Sequence, residues 1–142
     1  MDTQRSQESL DDVRLAIFRQ HTQLAQLLEE LEASADAVLS RRGDGAALRR
    51  ALDALQARFV RHLDYEELHL ASVLPRGSSG IAGEAAKALL GDHAEQRVRM
   101  SGLVHDRDVF GDPEGLAREA RAFVHVLRKD LAEENARLRA LG

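Results

Sequence analysis

The sequence predicts an all-α protein that folds as an up-down-up-down four-helix bundle. Aromatic residues are only 4% of the 142 residues and Pro occurs twice, whereas sandwiches and barrels are rich in aromatic and β-branched residues and in turns. Seven of the ten Gly and both Pro lie in or beside three short windows, 43–45, 75–83 and 111–115. Because Gly and Pro interrupt helices, these windows divide the chain into four segments of helical length.

Three of the four segments begin with a recognisable helix start. Ser9 followed by Asp12 forms a capping-box pattern, in which each side chain can bond the other residue's backbone N–H. Asp44 stands directly before the Ala- and Leu-rich second segment. Asp112 followed by Pro113 is typical of an N-cap and a first helical position. These signals place three helix starts to within a few residues.

The domain organisation follows from the same pattern. The third helix has no sharp start and is predicted to begin within 79–83. Residues 1–9 are polar and are predicted to be a flexible arm, and 10–142 to be a single bundle domain.

Composition excludes several function classes. The net charge is −4, with Arg interleaved among acidic residues, which does not favour binding to nucleic acid or to an anionic membrane. No segment approaches the ~18 apolar residues of a membrane span, and the polar start is unlike a signal peptide, so we expect a cytoplasmic protein. The absence of Cys excludes disulfides, thiolate metal sites and a Cys nucleophile, which leaves six His and 24 acidic residues as the strong metal ligands.

The predicted core stripe of every helix is interrupted by an ionisable residue. Apolar residues recur at steps of three and four along each helix, as expected for a buried face. The interruptions are His21 in the first helix, His62 and Glu66 in the second, His93 in the third, and Asp130 and Glu134 in the fourth. Burying one such group is costly unless it is paired or bound to a metal, so four interrupted helices indicate a shared polar site.

The spacing of these residues is typical of a metal site. His62 and Glu66 are one helical turn apart and therefore share a face, and Asp130 and Glu134 repeat that arrangement. Nitrogen and oxygen donors without thiolate suit iron, manganese or zinc, and carboxylates that can bridge suit two metal ions. His69, which lies on the stripe of the second helix, and His125, which does not lie on that of the fourth, are reserve candidates, and His105 also lies outside the stripe.

Three stretches resemble the hemerythrin-like, or HHE cation-binding, family. The stretch 59–67, FVRHLDYEE, is similar to the family's second-helix signature of His, an apolar residue and paired Glu. Gln20-His21 resembles its first-helix His, and 92–97, DHAEQR, resembles its third-helix acid–His pair followed by Arg. The resemblance extends over roughly 10–141 and includes an internal duplication, in which 59–66 is similar to 127–134.

The resemblance implies a buried non-haem di-metal centre, with iron first and zinc or manganese as alternatives. It implies terminal ligation by the three histidines His21, His62 and His93, and bridging or chelation by Glu66 and Glu134, with Asp130 completing the set. Such domains bind or sense O₂ or small oxidants, or handle iron. The resemblance therefore favours a protein that binds a metal or a small molecule over an enzyme, and it leaves both a monomer and a homodimer open.

Two positions depart from the family pattern. Asp130 stands where His is usual, and Arg97 stands where oxygen-carrying hemerythrins have a second His on the third helix. His125 is five residues from Asp130 and would point about 140° away from the stripe, so Asp130 is the preferred ligand candidate. Fewer imidazoles and more carboxylates favour handling of oxidants or iron over reversible O₂ transport.

Two alternatives remain open from the sequence. The departures at Asp130 and Arg97 also fit a vestigial bundle that holds no metal and acts through protein contacts. Glu66 and His69 form the Glu-x-x-His pattern of ferritin-like di-metal oxidases, although the second copy of that pattern is missing.

Overall fold

The computed structural model describes residues 9–70, 81–109 and 112–140. Four long helices make up this part of the chain: α1 Leu10–Leu39, α2 Gly45–Tyr65, α3 Ile81–Val109 and α4 Pro113–Ala140. A single π-helical turn, Glu66–Leu70, continues α2. The described residues contain no strand, so the all-α prediction is confirmed. Residues 1–8 of the predicted arm lie outside the described residues.

The helix starts form through the side chains that the sequence indicated. The Ser9 hydroxyl accepts the backbone N–H of Asp12 at 3.1 Å, and the Asp12 carboxylate returns a contact to the backbone of Ser9, which completes the capping box. Asp44 accepts a backbone N–H of the first turn of α2 at 3.1 Å. Asp112 accepts one from the first turn of α4 at 3.0 Å, directly before Pro113. These bonds satisfy donors that a helix start otherwise leaves unpaired.

The helices pack as a closed bundle around one core. α1 lies against α2 and α4, and α3 closes the bundle mainly against α4. The stripe predicted for α1 is buried from its first full turn to its last: Val13, Ile17, His21, Leu24, Leu28, Leu31, Ala35 and Val38. Among the described helices, none combines the length and the hydropathy needed to cross a bilayer.

At two positions the buried residue is not the one that the apolar pattern predicts. On α4 the structure buries Leu131, whereas the predicted stripe passed through Asp130, which is half-buried at the edge of the core. After α2 it buries Leu70, whereas the prediction placed His69 on the stripe. Steps of three and of four are both compatible with a helical face, and the π turn adds a residue to the local repeat. Sequence periodicity alone did not distinguish these neighbours.

A layer of polar side chains divides the hydrophobic core into two clusters. The larger cluster includes Leu24, Leu63 and Leu131 and extends to the far end of the bundle. The smaller one consists of Val13, Ile17, Leu70 and Leu138. His21, Glu66 and Glu134 lie between the two clusters along their helices. The apolar clusters on both sides exclude water from this layer and strengthen its electrostatic interactions.

The chain leaves α1 through a residue in the left-handed region. Arg41 has a φ of 62°, and the backbone N–H groups of Arg42 and Gly43 both donate to the Ala37 carbonyl, at 2.7 and 3.1 Å. Helices commonly end in this way, with Gly at the left-handed position because it has no Cβ. Arg41 therefore carries a conformational cost that Gly would not.

Replacing Arg41 with Gly should raise the free energy of unfolding by about 0.5–1 kcal/mol, because relief of the left-handed strain exceeds the added freedom of the unfolded chain. Urea unfolding followed by circular dichroism measures the change. Arg42→Gly is the matched control, since Arg42 is exposed and outside the left-handed region, and it should be neutral or destabilising. Equal destabilisation by the two substitutions would contradict the assigned strain.

Candidate metal centre

Four buried polar side chains converge in the layer between the two apolar clusters. They come from α1, α2, the π turn and α4, and each is at most 4% exposed: His21, His62, Glu66 and Glu134. One ligand atom from each of the four lies within 4.8 Å of the others. We call these four residues the His/Glu cluster. Long helices with locked side chains hold it, which favours a fixed donor geometry.

Glu66 is the centre of the cluster. Its Oε1 atom lies 2.9 Å from Nε2 of His62 and 3.3 Å from Nε2 of His21. Its Oε2 atom lies 2.6 Å from Nε2 of His93, which is 1% exposed. One carboxylate therefore joins imidazoles from three helices. Position 66 also opens the π turn, a local irregularity that frequently occurs at functional sites.

Amide side chains orient two of the imidazoles from outside. Nδ1 of His21 donates to Oδ1 of Asn135 at 2.6 Å, and Nδ1 of His62 donates to Oε1 of Gln20 at 2.8 Å. Since a carbonyl oxygen only accepts, the proton of each neutral ring resides on Nδ1 and the lone pair of Nε2 faces the cluster. Metal-binding histidines are held by outer partners in this way.

The donor set fits a cation. The Nε2 atoms of His21 and His62 are 3.2 Å apart, and Oε1 of Glu66 and Oε1 of Glu134 face the same space. Both carboxylate atoms are buried without a well-formed hydrogen bond among the described residues. Acceptor atoms this close repel one another unless a proton or a metal ion lies among them. Mixed nitrogen and oxygen donors suit iron, manganese or zinc.

Without a cation, protons compensate part of this charge. Although burial alone would raise the pKa of Glu66, its close contacts with the imidazoles of His21, His62 and His93 hold that pKa well below its usual range. Burial and the Glu66 charge raise the pKa of Glu134 to about 7. Burial opposes protonation of His21 and His93, but contacts with Glu66 raise the pKa of both rings. Burial lowers the pKa of His62. The cluster therefore holds protons where a metal ion would displace them.

A second, more exposed network lies behind His93. Nδ1 of His93 is buried without a hydrogen-bond partner among the described residues, 3.8 Å from Oε1 of Glu67. Arg97 donates to Glu67 at 2.7 Å and to Asp64 at 3.0 Å. Arg97 thus neutralises a carboxylate next to His93, and Glu67 in turn raises the pKa of the Arg97 guanidinium.

The structure places the remaining ligand candidates outside the His/Glu cluster. Asp130 is half-buried, with Oδ2 3.5 Å from Nε2 of Gln96 and 3.6 Å from Nη1 of Arg99, and burial raises its pKa. His69 stacks on the ring of Tyr65 at a centroid distance of 4.2 Å. His125 is exposed on the outer face of α4. Metal ligation by the six preferred residues stays a prediction, and five of the six meet in one layer.

Sequence reasoning missed three amide side chains that shape the site. Gln20 and Asn135 orient the imidazoles of the cluster, and Gln96, which is 2% exposed, donates to Oε2 of Glu134 at 2.8 Å. Amides are common on exposed helix faces, so an amide near a ligand candidate in the sequence does not by itself indicate a contact. The contact becomes evident only from the packing of the helices.

The fold and the cluster define a four-helix-bundle protein with a buried His/carboxylate site suited to a metal cation. A scan against protein families matches residues 15–141 to the family described as hemerythrin HHE cation binding domain. The chain belongs to this cation-binding family. Searches of curated proteins and of solved structures returned no significant match.

Glu134→Gln should stabilise the metal-free protein near pH 7.5. Because the folded-state pKa of Glu134 is raised to about 7 from 4.5, the folded state binds the proton more tightly than the unfolded state does. The wild-type free energy of unfolding should therefore decline from about pH 4.5 to pH 7, by up to about 3 kcal/mol from this group. The Gln variant should lack that part of the decline.

Urea unfolding of chelator-treated protein at pH 5.0, 6.0 and 7.5 measures the effect. Glu133→Gln is the control, because Glu133 is the exposed neighbour on the same helix and should keep the wild-type pH profile. Identical profiles for the two variants would contradict the raised pKa of Glu134.

Proposed function

We propose that this protein holds a buried non-haem di-metal centre, with iron as the metal, and that it handles iron or reacts with small oxidants. One observation carries the proposal: four ligand atoms of the His/Glu cluster converge within 4.8 Å in a water-excluding layer. Membership of a cation-binding family supports a metal in that position. The cytoplasmic location indicated by the sequence stays a prediction.

The donors favour two unequal metal positions. The first position would use His21 and His62 with the Oε1 atoms of Glu66 and Glu134, which already face one another. The second would use His93 with Oε2 of Glu66 on the α3 side. Glu134 reaches that side through Oε2, which now accepts from Gln96. Glu66 is suited to bridge, because its two oxygens face different imidazoles.

The second position has the weaker ligand set. Apart from the shared carboxylates it would have one imidazole, and Asp130 would join it only by giving up its contacts with Gln96 and Arg99. Arg97, at the place of the usual second histidine, is engaged by Glu67 and Asp64. Carboxylate oxygens stabilise the higher charge state of a metal more than imidazole does, which supports oxidant or iron handling over O₂ transport.

A pocket approaches the first position from outside the bundle, because His21 is part of its lining. This pocket of about 380 Å³ opens between α1 and α4, and His21 and Asn135 are part of its lining. Bound iron would supply one-electron redox chemistry and an open coordination position there. The chain itself contributes the oriented imidazoles, and its apolar clusters exclude bulk water from the layer.

The untagged protein should bind two equivalents of iron per chain, the first more tightly. Anaerobic Fe²⁺ titration followed by elemental analysis measures both. His62→Ala should lose both ions, because the first position and the bridge are disrupted together. Asp130→Ala should keep the first ion and weaken the second by about tenfold or more.

His125→Ala is the matched control, since it removes an exposed histidine from α4 and should retain two ions. If wild-type protein takes up no metal and chelator leaves its unfolding midpoint unchanged, the vestigial bundle that acts through protein contacts replaces this proposal. One ion in wild-type protein, unaffected by Asp130→Ala, would exclude the di-metal form.

Exposure of the ferrous protein to air should oxidise the metal irreversibly. The carboxylate-rich set stabilises the ferric product, so removal of O₂ by degassing should not restore the ferrous protein. Stopped-flow absorbance and an oxygen electrode follow the reaction, with His62→Ala as the variant expected to react at the rate of free Fe²⁺. Repeated, reversible uptake and release of O₂ would contradict oxidant handling and indicate O₂ carriage instead.

A further inference from the structure

A groove between α1 and α2 is lined by three arginines and, among the residues that the structure describes, by no acidic residue. Its volume is about 410 Å³, and its arginines are Arg19 and Arg58 on facing helices together with Arg61. All three are exposed. We call this surface the arginine groove. Three cations at one opening contrast with the net charge of −4 of the whole chain.

The charges of the arginine groove are not neutralised by the described part of the protein. Arg58 donates to the amide oxygen of Gln23 at 3.1 Å, a neutral partner. Within residues 9–70, 81–109 and 112–140, Arg19 and Arg61 have neither a hydrogen-bonding partner nor a carboxylate partner. Three of the arginines that line two other pockets are paired with acids: Arg128 with Glu32, Arg121 with Asp36, and Arg118 with Glu114.

We propose that the arginine groove binds a small polyanion with two or three negative charges. A guanidinium group can donate two parallel hydrogen bonds to a phosphate or a carboxylate, and charge assistance makes these bonds strong. Three guanidinium groups around about 410 Å³ match the charge and size of a compact phosphorylated or polycarboxylate molecule. The amide of Gln23 adds a polar partner at the same opening.

The arginine groove adjoins the His/Glu cluster without sharing its donors. Gln20 and His62 are part of the groove lining, and Oε1 of Gln20 accepts from Nδ1 of His62 at 2.8 Å. The Nε2 atom of His62 faces the opposite way, toward Glu66. The proposed anion therefore contacts the outer side of this pair. The proposed binding site is formed by the exposed arginines, and it does not depend on which metal the His/Glu cluster holds.

Titration calorimetry on the metal-free full-length protein tests the proposal. Pyrophosphate and citrate are titrated separately. Both anions chelate metal ions, so metal-free protein is used to exclude heat from chelation. Each should bind at one equivalent per chain and weaken with added NaCl. The tighter of the two identifies whether phosphate or carboxylate is the preferred anion.

A double variant and a charge-matched control assign the binding site. Arg19→Gln with Arg61→Gln should weaken binding by about tenfold or more, since two charge-assisted contacts are lost. Arg118→Gln with Arg121→Gln makes the same change in net charge at arginines that are paired with acids, and should keep the affinity within about twofold. Circular dichroism checks that each variant folds.

Three results would overturn the proposal. One is the absence of saturable binding by either anion at millimolar concentration. Another is an equal loss of affinity in the two double variants, which would indicate a response to net charge alone. The third is tighter binding of a Glu decapeptide than of both small anions, which would make the arginine groove a contact surface for an acidic protein segment.

Discussion

The structure depends on one buried carboxylate that holds three helices together. Glu66 contacts His21, His62 and His93 through both of its oxygens, although it lies in a core where an isolated charge is costly. Burial raises the pKa of Glu66 and the three imidazoles lower it, and the effect of the imidazoles is the larger. Because the contacts come from α1, α2 and α3, the packing of the bundle and the geometry of the site are set by the same bonds.

The polar layer is stabilised from both sides and from outside. The apolar clusters above and below it keep water away, and Gln20 and Asn135 fix which nitrogen of two imidazoles faces inward. This arrangement leaves lone pairs and carboxylate oxygens directed at one space. Charge balance in that space then comes from protons or from a cation, which links the stability of the bundle to what the cluster holds.

Much of the fold and part of the site were predictable from local signals. Capping side chains and Gly–Pro windows mark helix ends because they act on neighbouring backbone groups, and Asp44 and Asp112 bond as expected. The interruptions of the apolar stripe located His21, His62 and Glu66, since an ionisable residue in a core position needs partners. The choice between Asp130 and Leu131 was not predictable, because both fit a helical repeat and only the facing helices discriminate.

The sequence by itself determined the four helices, most of their buried faces and most of the ionisable residues that meet in the polar layer, because these follow from helical periodicity and from the cost of burying charge. Only the tertiary structure decided that Gln96 contacts Glu134 while Asp130 stays at the edge. The tertiary structure also decided that Arg97 forms an ion pair with Glu67. Those pairings depend on how one helix is rotated and shifted along its axis relative to another. A difference of a fraction of a helical turn changes the pairing, and the sequence of a single helix does not specify it.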